Sequence, residues 1–269
     1  MKREFDMKKL LLLLTLFALT AVMTAQTQIP AGTVLAVELN TTLDAKNCKV
    51  GQVVLARVAQ DSPLGNGAFI KAGTQVTGEV VRVTGASKDM PQQIALRFDK
   101  IEISGQSIPI MTNLRALASP LEVAAAQEQI SGDDRGSTPP WSQTISLVGG
   151  DDVVYREEGN VLSGEQTVGK SVYAGNWGVL SQVAAYPGDN CRGAVAGNGA
   201  PQALWVFSHD ACGAYGGEAV ILHSGRRSPR GEIVLASTGG NLKVRSGGAL
   251  LLRVNGNGSD MMSQTEAAK

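Results

Sequence analysis

From Ile29 to Met111, apolar and polar residues alternate with the two-residue period of a half-buried β-strand. Leu35, Val37 and Leu39 share one side of the first such segment, while Val34, Ala36 and Glu38 share the other. The same period predicts strands over 53–59, 75–83, 94–98, 101–103 and 107–111, with Ile94, Leu96 and Phe98 facing inward and Arg97 outward. Gly51, Gly65, Gly67, Gly73, Gly85 and Gly105 fall between these segments and supply the turns. Gly78 stands inside a segment instead, where the missing side chain allows a close approach of strands.

The period changes to a helical one after residue 118. Ser119 offers an N-cap hydroxyl, Pro120 occupies the first helical position and Glu122 completes a capping box ahead of the Ala-rich run to Ile130. Residues 131–140, Ser-Gly-Asp-Asp-Arg-Gly-Ser-Thr-Pro-Pro, read as a linker. Shorter strands are predicted beyond it, over 145–148, 153–155, 179–184, 203–207, 219–223, 233–236, 242–245 and 250–254. The pattern therefore predicts an all-β protein of small β-barrel or sandwich modules, with one short helix near residues 120–130. Its expected divisions are a signal peptide over 1–25, a β domain over 29–118, a helix and linker over 119–140, a second β domain over 141–255 and a tail over 256–269. The segment from Ser246 to Asn255 echoes the one from Pro30 to Asn40, and pairing between them would join the two halves into one unit.

Composition supports many short strands joined by glycine turns, with 32 glycines, 4% aromatic residues and 18% charged residues. The first 25 residues read as an export signal, with basic residues at Lys2, Arg3, Lys8 and Lys9, an apolar run from Leu10 to Val22, and Ala25 at the expected cleavage point. Met7 is the better initiator, because Glu4 and Asp6 then fall outside the basic leader. The apolar run is shorter than the ~20 residues of a membrane span. Without residues 1–25 the chain has 20 basic and 22 acidic residues, so no global field draws it to nucleic acid. The expected location is outside the cytosol, in the periplasm, at the outer membrane or in the medium.

Export makes a disulfide between Cys191 and Cys212 plausible, since thiols oxidise outside the cytosol. Cys48 then remains as a small buried residue.

The runs Ile29 to Leu39, Leu43 to Val53 and Ile70 to Val80 carry a repeated Ala-Gly-Thr turn into a strand. Together with Ile94 to Ile101 and Gly105 to Ile110, they resemble the β-barrel module of TrbI-like proteins, the envelope-spanning channel components of conjugation and type IV secretion machines. The resemblance covers residues 29–112 and implies a barrel fold and partners among envelope proteins. It does not extend to the cytosolic segment, membrane helix and Pro-rich linker of a full channel subunit, so a stand-alone envelope protein is expected. The C-terminal half, around Pro201 to Gly213, is similar to secreted bacterial proteins to which no activity is attached.

Residues 164–171 form a G-x-x-x-x-G-K-S match, but Gly175, Gly178 and the β-branched Val172 argue against the helix that a phosphate loop requires. His209, Asp210 and His223, near Cys212, define the alternative of a periplasmic hydrolase or metal protein. Arg226, Arg227 and Arg230, with His223 just upstream, form a basic loop suited to phosphate or uronate groups of a cell-wall polymer. Trp177 and Trp205 could stack on sugars or belong to the core. The expectation is a non-enzymatic interaction or structural module, without cofactor or metal, and glycan or anionic-polymer binding through the arginine loop and Trp177 is the alternative.

Overall fold

The computed structural model describes residues 29–64, 67–85, 87, 90–128, 144–150, 152–155, 160–163, 166–174, 176–185, 191, 193–217 and 219–257. The expected signal peptide, most of the linker and most of the tail lie outside them. The strands of the first half are β1 (Val34–Leu39), β2 (Leu43–Asp44), β3 (Val53–Val58), β4 (Ser62–Pro63), β5 (Phe69–Ile70), β6 (Gln75–Thr84), β7 (Gln93–Ile103) and β8 (Gln106–Ala118), followed by helix α1 (Pro120–Glu128). Then come β9 (Thr144–Ser146), β10 (Asp152–Tyr155), β11 (Asn160–Ser163), β12 (Gln166–Ala174), β13 (Asn176–Ser181) and β14 (Gln202–Ala203). The last are β15 (Gly213–Tyr215), β16 (Ala219–His223), β17 (Ile233–Ser237), β18 (Lys243–Val244) and β19 (Ala249–Asn257). Among the described residues the protein is all-β with one short helix, as the sequence pattern predicts.

Six strands close a barrel in the order β8-β19-β1-β3-β6-β7, and β7 pairs back to β8 from Lys100 opposite Pro109 to Ile103 opposite Gln106. Five of these staves come from residues 34–118 and the sixth, β19, from the far end of the chain. It runs antiparallel to β1, with Leu35 opposite Leu252 and Val37 opposite Leu250. This pairing carries the barrel across the expected division at residues 119–140, because residues 34–118 supply five staves and β19 the sixth. β17 and β16 extend the sheet from the first half of β7, and β15 adds parallel to the end of β8. Between α1 and β15, strands β9 to β14 form a separate antiparallel meander.

The alternation sorts the barrel strands into two packed faces. Leu35, Val37, Leu39, Val54, Ala56, Val58, Leu96, Phe98, Leu250 and Leu252 point into the main core. The reverse faces of β1, β8 and β19 are also buried, through Val34, Ala36, Ala116, Ala118, Ala249 and Leu251. Onto this second face pack Val123 and Ala126 of α1 together with Leu204, Val206, Phe207 and Ala211. Alanines there let the covering chain lie close to the strands. Each large apolar side chain removed from water in this way contributes about 1.5–3 kcal/mol. Two glutamines fasten the covering segment: Gln202 Oε1 accepts the Val34 N–H at 3.0 Å, and Gln60 Oε1 accepts the Trp205 N–H at 2.8 Å.

Gly78 does permit close approach. A bulge falls between Thr77 and Gly78 opposite β7, and a Cβ at Gly78 would overlap the Arg97 carbonyl. Since that atom belongs to the backbone of a neighbouring stave, it cannot swing aside. Gly78→Ala is expected to cost about 1–3 kcal/mol by overpacking, read as a lower urea midpoint. An unchanged midpoint would show that the stave shifts without strain.

Several boundaries differ from expectation. Segments 94–98 and 101–103 belong to one strand, and β8 runs on to Ala118 because Thr112 to Ala118 are buried on both faces and so do not alternate. Gly256 and Asn257, expected in the tail, extend β19. At α1 the Glu122 N–H donates to the Ser119 hydroxyl at 3.4 Å, as the capping pattern requires.

Candidate functional site

Two features of the ladder between β8 and β19 aim side chains. Leu251 pairs with Ala116 and Leu252 with Leu114, so Arg115 is the extra residue of a β-bulge. Val254 pairs with Thr112 and Gly256 with Met111, which makes Asn255 a second extra residue. Each bulge organises a polar cluster on the outside of the barrel.

Arg115 is 1% exposed and is the largest fully buried side chain among the described residues. Its guanidinium donates to three carbonyls: Ala211 at 2.8 Å, Ala194 at 3.3 Å and His209 at 3.3 Å. Burial pushes its pKa down to about 10, against the opposing fields of Asp210 and Tyr215, so it remains charged at neutral pH. All three carbonyls belong to the segment closed by the Cys191–Cys212 disulfide, whose Cα atoms are 5.6 Å apart. Gly193 reaches the strand because a Cβ there would overlap the Arg115 carbonyl. His209 and Asp210 therefore belong to a structural stitch. The His209 carbonyl also accepts the Ala184 N–H at 2.8 Å, and Asp210 accepts from the Ser208 hydroxyl at 2.6 Å.

The Arg226, Arg227 and Arg230 loop joins β16 to β17. Ser224 anchors it by accepting the Leu114 N–H at 2.8 Å, and the Gly231 N–H closes its neck on the Gly225 carbonyl at 2.8 Å. A Cβ on Gly225 would lie 3.3 Å from the Thr112 carbonyl, so the loop is seated directly on β8. His223 braces the neck, with Nδ1 2.7 Å from the Glu232 carbonyl oxygen and 3.1 Å from the Gly225 nitrogen. The three arginines stand exposed, and among the described residues none is in a salt bridge. Glu232, the carboxylate of the neck, is paired with Arg82 at 2.7 Å.

Arg253 of β19 joins this cluster. It pairs across the ladder with Asn113, one residue from Thr112, and its Nη1 donates to Asn255 Oδ1 at 2.9 Å. The Asn113 amide also donates to Asn255 Oδ1, while Arg253 Nε and Asn113 Oδ1 are buried without a partner. Partial burial and the nearby Arg226 lower the Arg253 pKa, which places the two guanidinium groups within each other's field. The loop thus presents Arg226, Arg227 and Arg230, with Arg253 of β19 as a fourth cation whose Nε is unpartnered, while the neck carboxylate of Glu232 is held by Arg82. An anionic group is the chemistry that this arrangement accommodates.

Other sequence-based candidates fall elsewhere. Lys170 and Ser171 lie in β12, paired with Leu180 and Val179 of β13, so the G-K-S match is strand and not a phosphate loop. Trp177 sits on β13 opposite Tyr173, and its side chain lies outside the described residues. Trp205 packs against the second core cluster, in line with the core reading. Cys48 is the free cysteine; burial raises its pKa, and its sulfur accepts the Asp44 N–H at 3.2 Å, consistent with a quiet structural thiol. Among the described residues no group of three or more His, Cys, Asp or Glu converges on a metal position, and no helix is long and apolar enough to cross a membrane.

Arg115 and Arg253 are the two functional side chains that strand patterning passes over. The available signal is a single arginine inside an otherwise apolar run, Leu114 to Ala118 and Ala249 to Val254. No protein-family model and no curated protein matches this chain.

Proposed function

We propose that this protein is an exported, non-enzymatic β module of the cell envelope that works by binding, and that its contact face is the arginine cluster around Arg226. The observation that carries this reading is the loop of Arg226, Arg227 and Arg230, three exposed cations in no salt bridge among the described residues, on a neck whose carboxylate, Glu232, is already held by Arg82. Like charges held together in this way are stabilised by an incoming anion, and planar guanidinium groups match the paired oxygens of phosphate and uronate. The ligand is a polyanionic wall polymer, which several exposed arginines can engage at once.

The Cys191–Cys212 bond supports the exported setting, because such bonds persist in oxidising compartments. The resemblance of residues 29–112 to the TrbI-like module supports an envelope role as well, since that module works there. Of the residues that a periplasmic hydrolase or metal protein would use, Asp210 accepts from Ser208 and His223 braces the neck of the arginine loop, while His209 lends its backbone carbonyl to Arg115.

Purified protein is expected to be retained on polygalacturonate and on phosphate-rich wall polymer but not on a neutral glucan. Replacing Arg226, Arg227 and Arg230 by Gln should weaken retention by about tenfold or more, and raised salt should do the same, because exposed charges are screened over ~8–10 Å at moderate ionic strength. Equal retention of the triple variant would reject the arginine cluster as the binding face.

A further inference from the structure

A cleft lies at the C-terminal end of β8, beside Leu117 and Ala118. It has a volume of about 400 Å³, within the range of small-ligand sites. Its apolar wall comprises Leu117, Pro120, Ala214 and Ala219, and its polar side comprises Asn241, Lys243 and Arg245. The cleft opens where two consecutive strands fail to pair. β15 bonds only to β8 and β16 only to β17, although just three residues separate them. Both strands contribute lining residues, Ala214 and Tyr215 from one and Ala219 from the other.

Unpaired strand edges carry rows of N–H and C=O groups that another extended chain can satisfy. The polar side defines which end of such a chain fits. Lys243 and Arg245 are two residues apart and no carboxylate lines the cleft among the described residues. Asp44 fixes the arrangement by accepting from the Asn241 amide at 3.0 Å and standing 3.8 Å from the Lys243 ammonium. Arg245 is exposed and free of salt bridges among the described residues. Asn241 serves to hold Asp44 in place beside Lys243.

We propose that this cleft binds the C-terminal end of a short extended peptide, with the terminal carboxylate on Arg245 and Lys243. The apolar wall takes small aliphatic side chains, and the edges of β15 and β16 take the peptide backbone. This site is independent of the arginine cluster around Arg226.

The test uses the full-length chain, immobilised, with two pools of random tetrapeptides, one with free C-termini and one amidated, and acetate as competitor. The free-acid pool should be enriched, and amidation or Arg245→Gln should reduce the enrichment about tenfold. Acetate should compete only at far higher concentration, because it lacks the backbone that the strand edges engage. The triple Gln variant at Arg226, Arg227 and Arg230 should retain peptides normally, which separates this result from polymer binding. Equal enrichment of the two pools, unchanged enrichment in Arg245→Gln, or acetate competing as well as the peptides would each overturn the proposal, as would no enrichment of either pool.

Discussion

Arg115→Met is expected to destabilise the fold by about 3–5 kcal/mol, a large share of the ~5–15 kcal/mol that holds a typical domain together. Methionine matches much of the arginine volume, so the loss comes from polar groups and not from a void. The Ala194 and Ala211 carbonyls lose the donor that Arg115 supplies, whereas the His209 carbonyl keeps the Ala184 N–H. A buried carbonyl without a donor costs about 1–3 kcal/mol. Removing the buried charge recovers some desolvation energy, which keeps the expected loss under the ~6 kcal/mol upper sum for two orphaned carbonyls. Arg115→Lys should fall between, since one ammonium cannot reach carbonyls spread over Ala194, His209 and Ala211. Urea unfolding of the three proteins decides the matter, and a loss under about 1 kcal/mol for the methionine variant would mean that the segment is held by its apolar contacts alone.

The disulfide acts on the same segment from the other side. Replacing Cys191 and Cys212 by Ser is expected to cost about 3 kcal/mol in the chain-entropy treatment of a cross-link with a sequence separation of 21. Ellman titration of the wild type in denaturant should find one thiol, Cys48; three would exclude the bridge. The two effects should not add. Once the bridge is gone the segment between residues 191 and 212 is freer before folding, and ordering it against Arg115 recovers less. A double-mutant cycle with Arg115→Met should therefore show a coupling of about 0.5–3 kcal/mol. Strict additivity would show that Arg115 and the bridge stabilise separate parts of the molecule.

Strand patterning located the barrel because its staves bury one face strongly and the other only in part. β3 is the clearest case, with Val54, Ala56 and Val58 buried and Val53, Leu55 and Arg57 exposed. It stopped short in β8, where α1 and the 204–211 segment cover the second face and erase the alternation. The closing role of β19 was legible only as an echo of β1, since partner choice depends on residues 211 to 219 positions away, from Glu38 opposite Ala249 to Val34 opposite Arg253, and not on local period. The arginine loop could be read directly from Arg226, Arg227 and Arg230. Its fourth member could not, because Arg253 is brought there by ladder register against Asn113. Likewise the G-K-S match dissolved once β12 paired with β13, for a phosphate loop is defined by the helix behind it and not by its letters.

The position of β19 also shapes how the molecule must come into being. Val34 meets Arg253 across nearly the whole chain, so this pairing has a contact order among the highest the sequence allows. Such pairings form slowly, because the entropy of closing so long a loop is lost before any contact rewards it. Until β19 docks, β1 and β8 offer open edges and the main core lies uncovered on one side. A chain still being synthesised, or one clipped near its end, is therefore held in an open trough, vulnerable to proteases and to pairing with other chains. Only arrival of the last strand turns that trough into a sealed barrel.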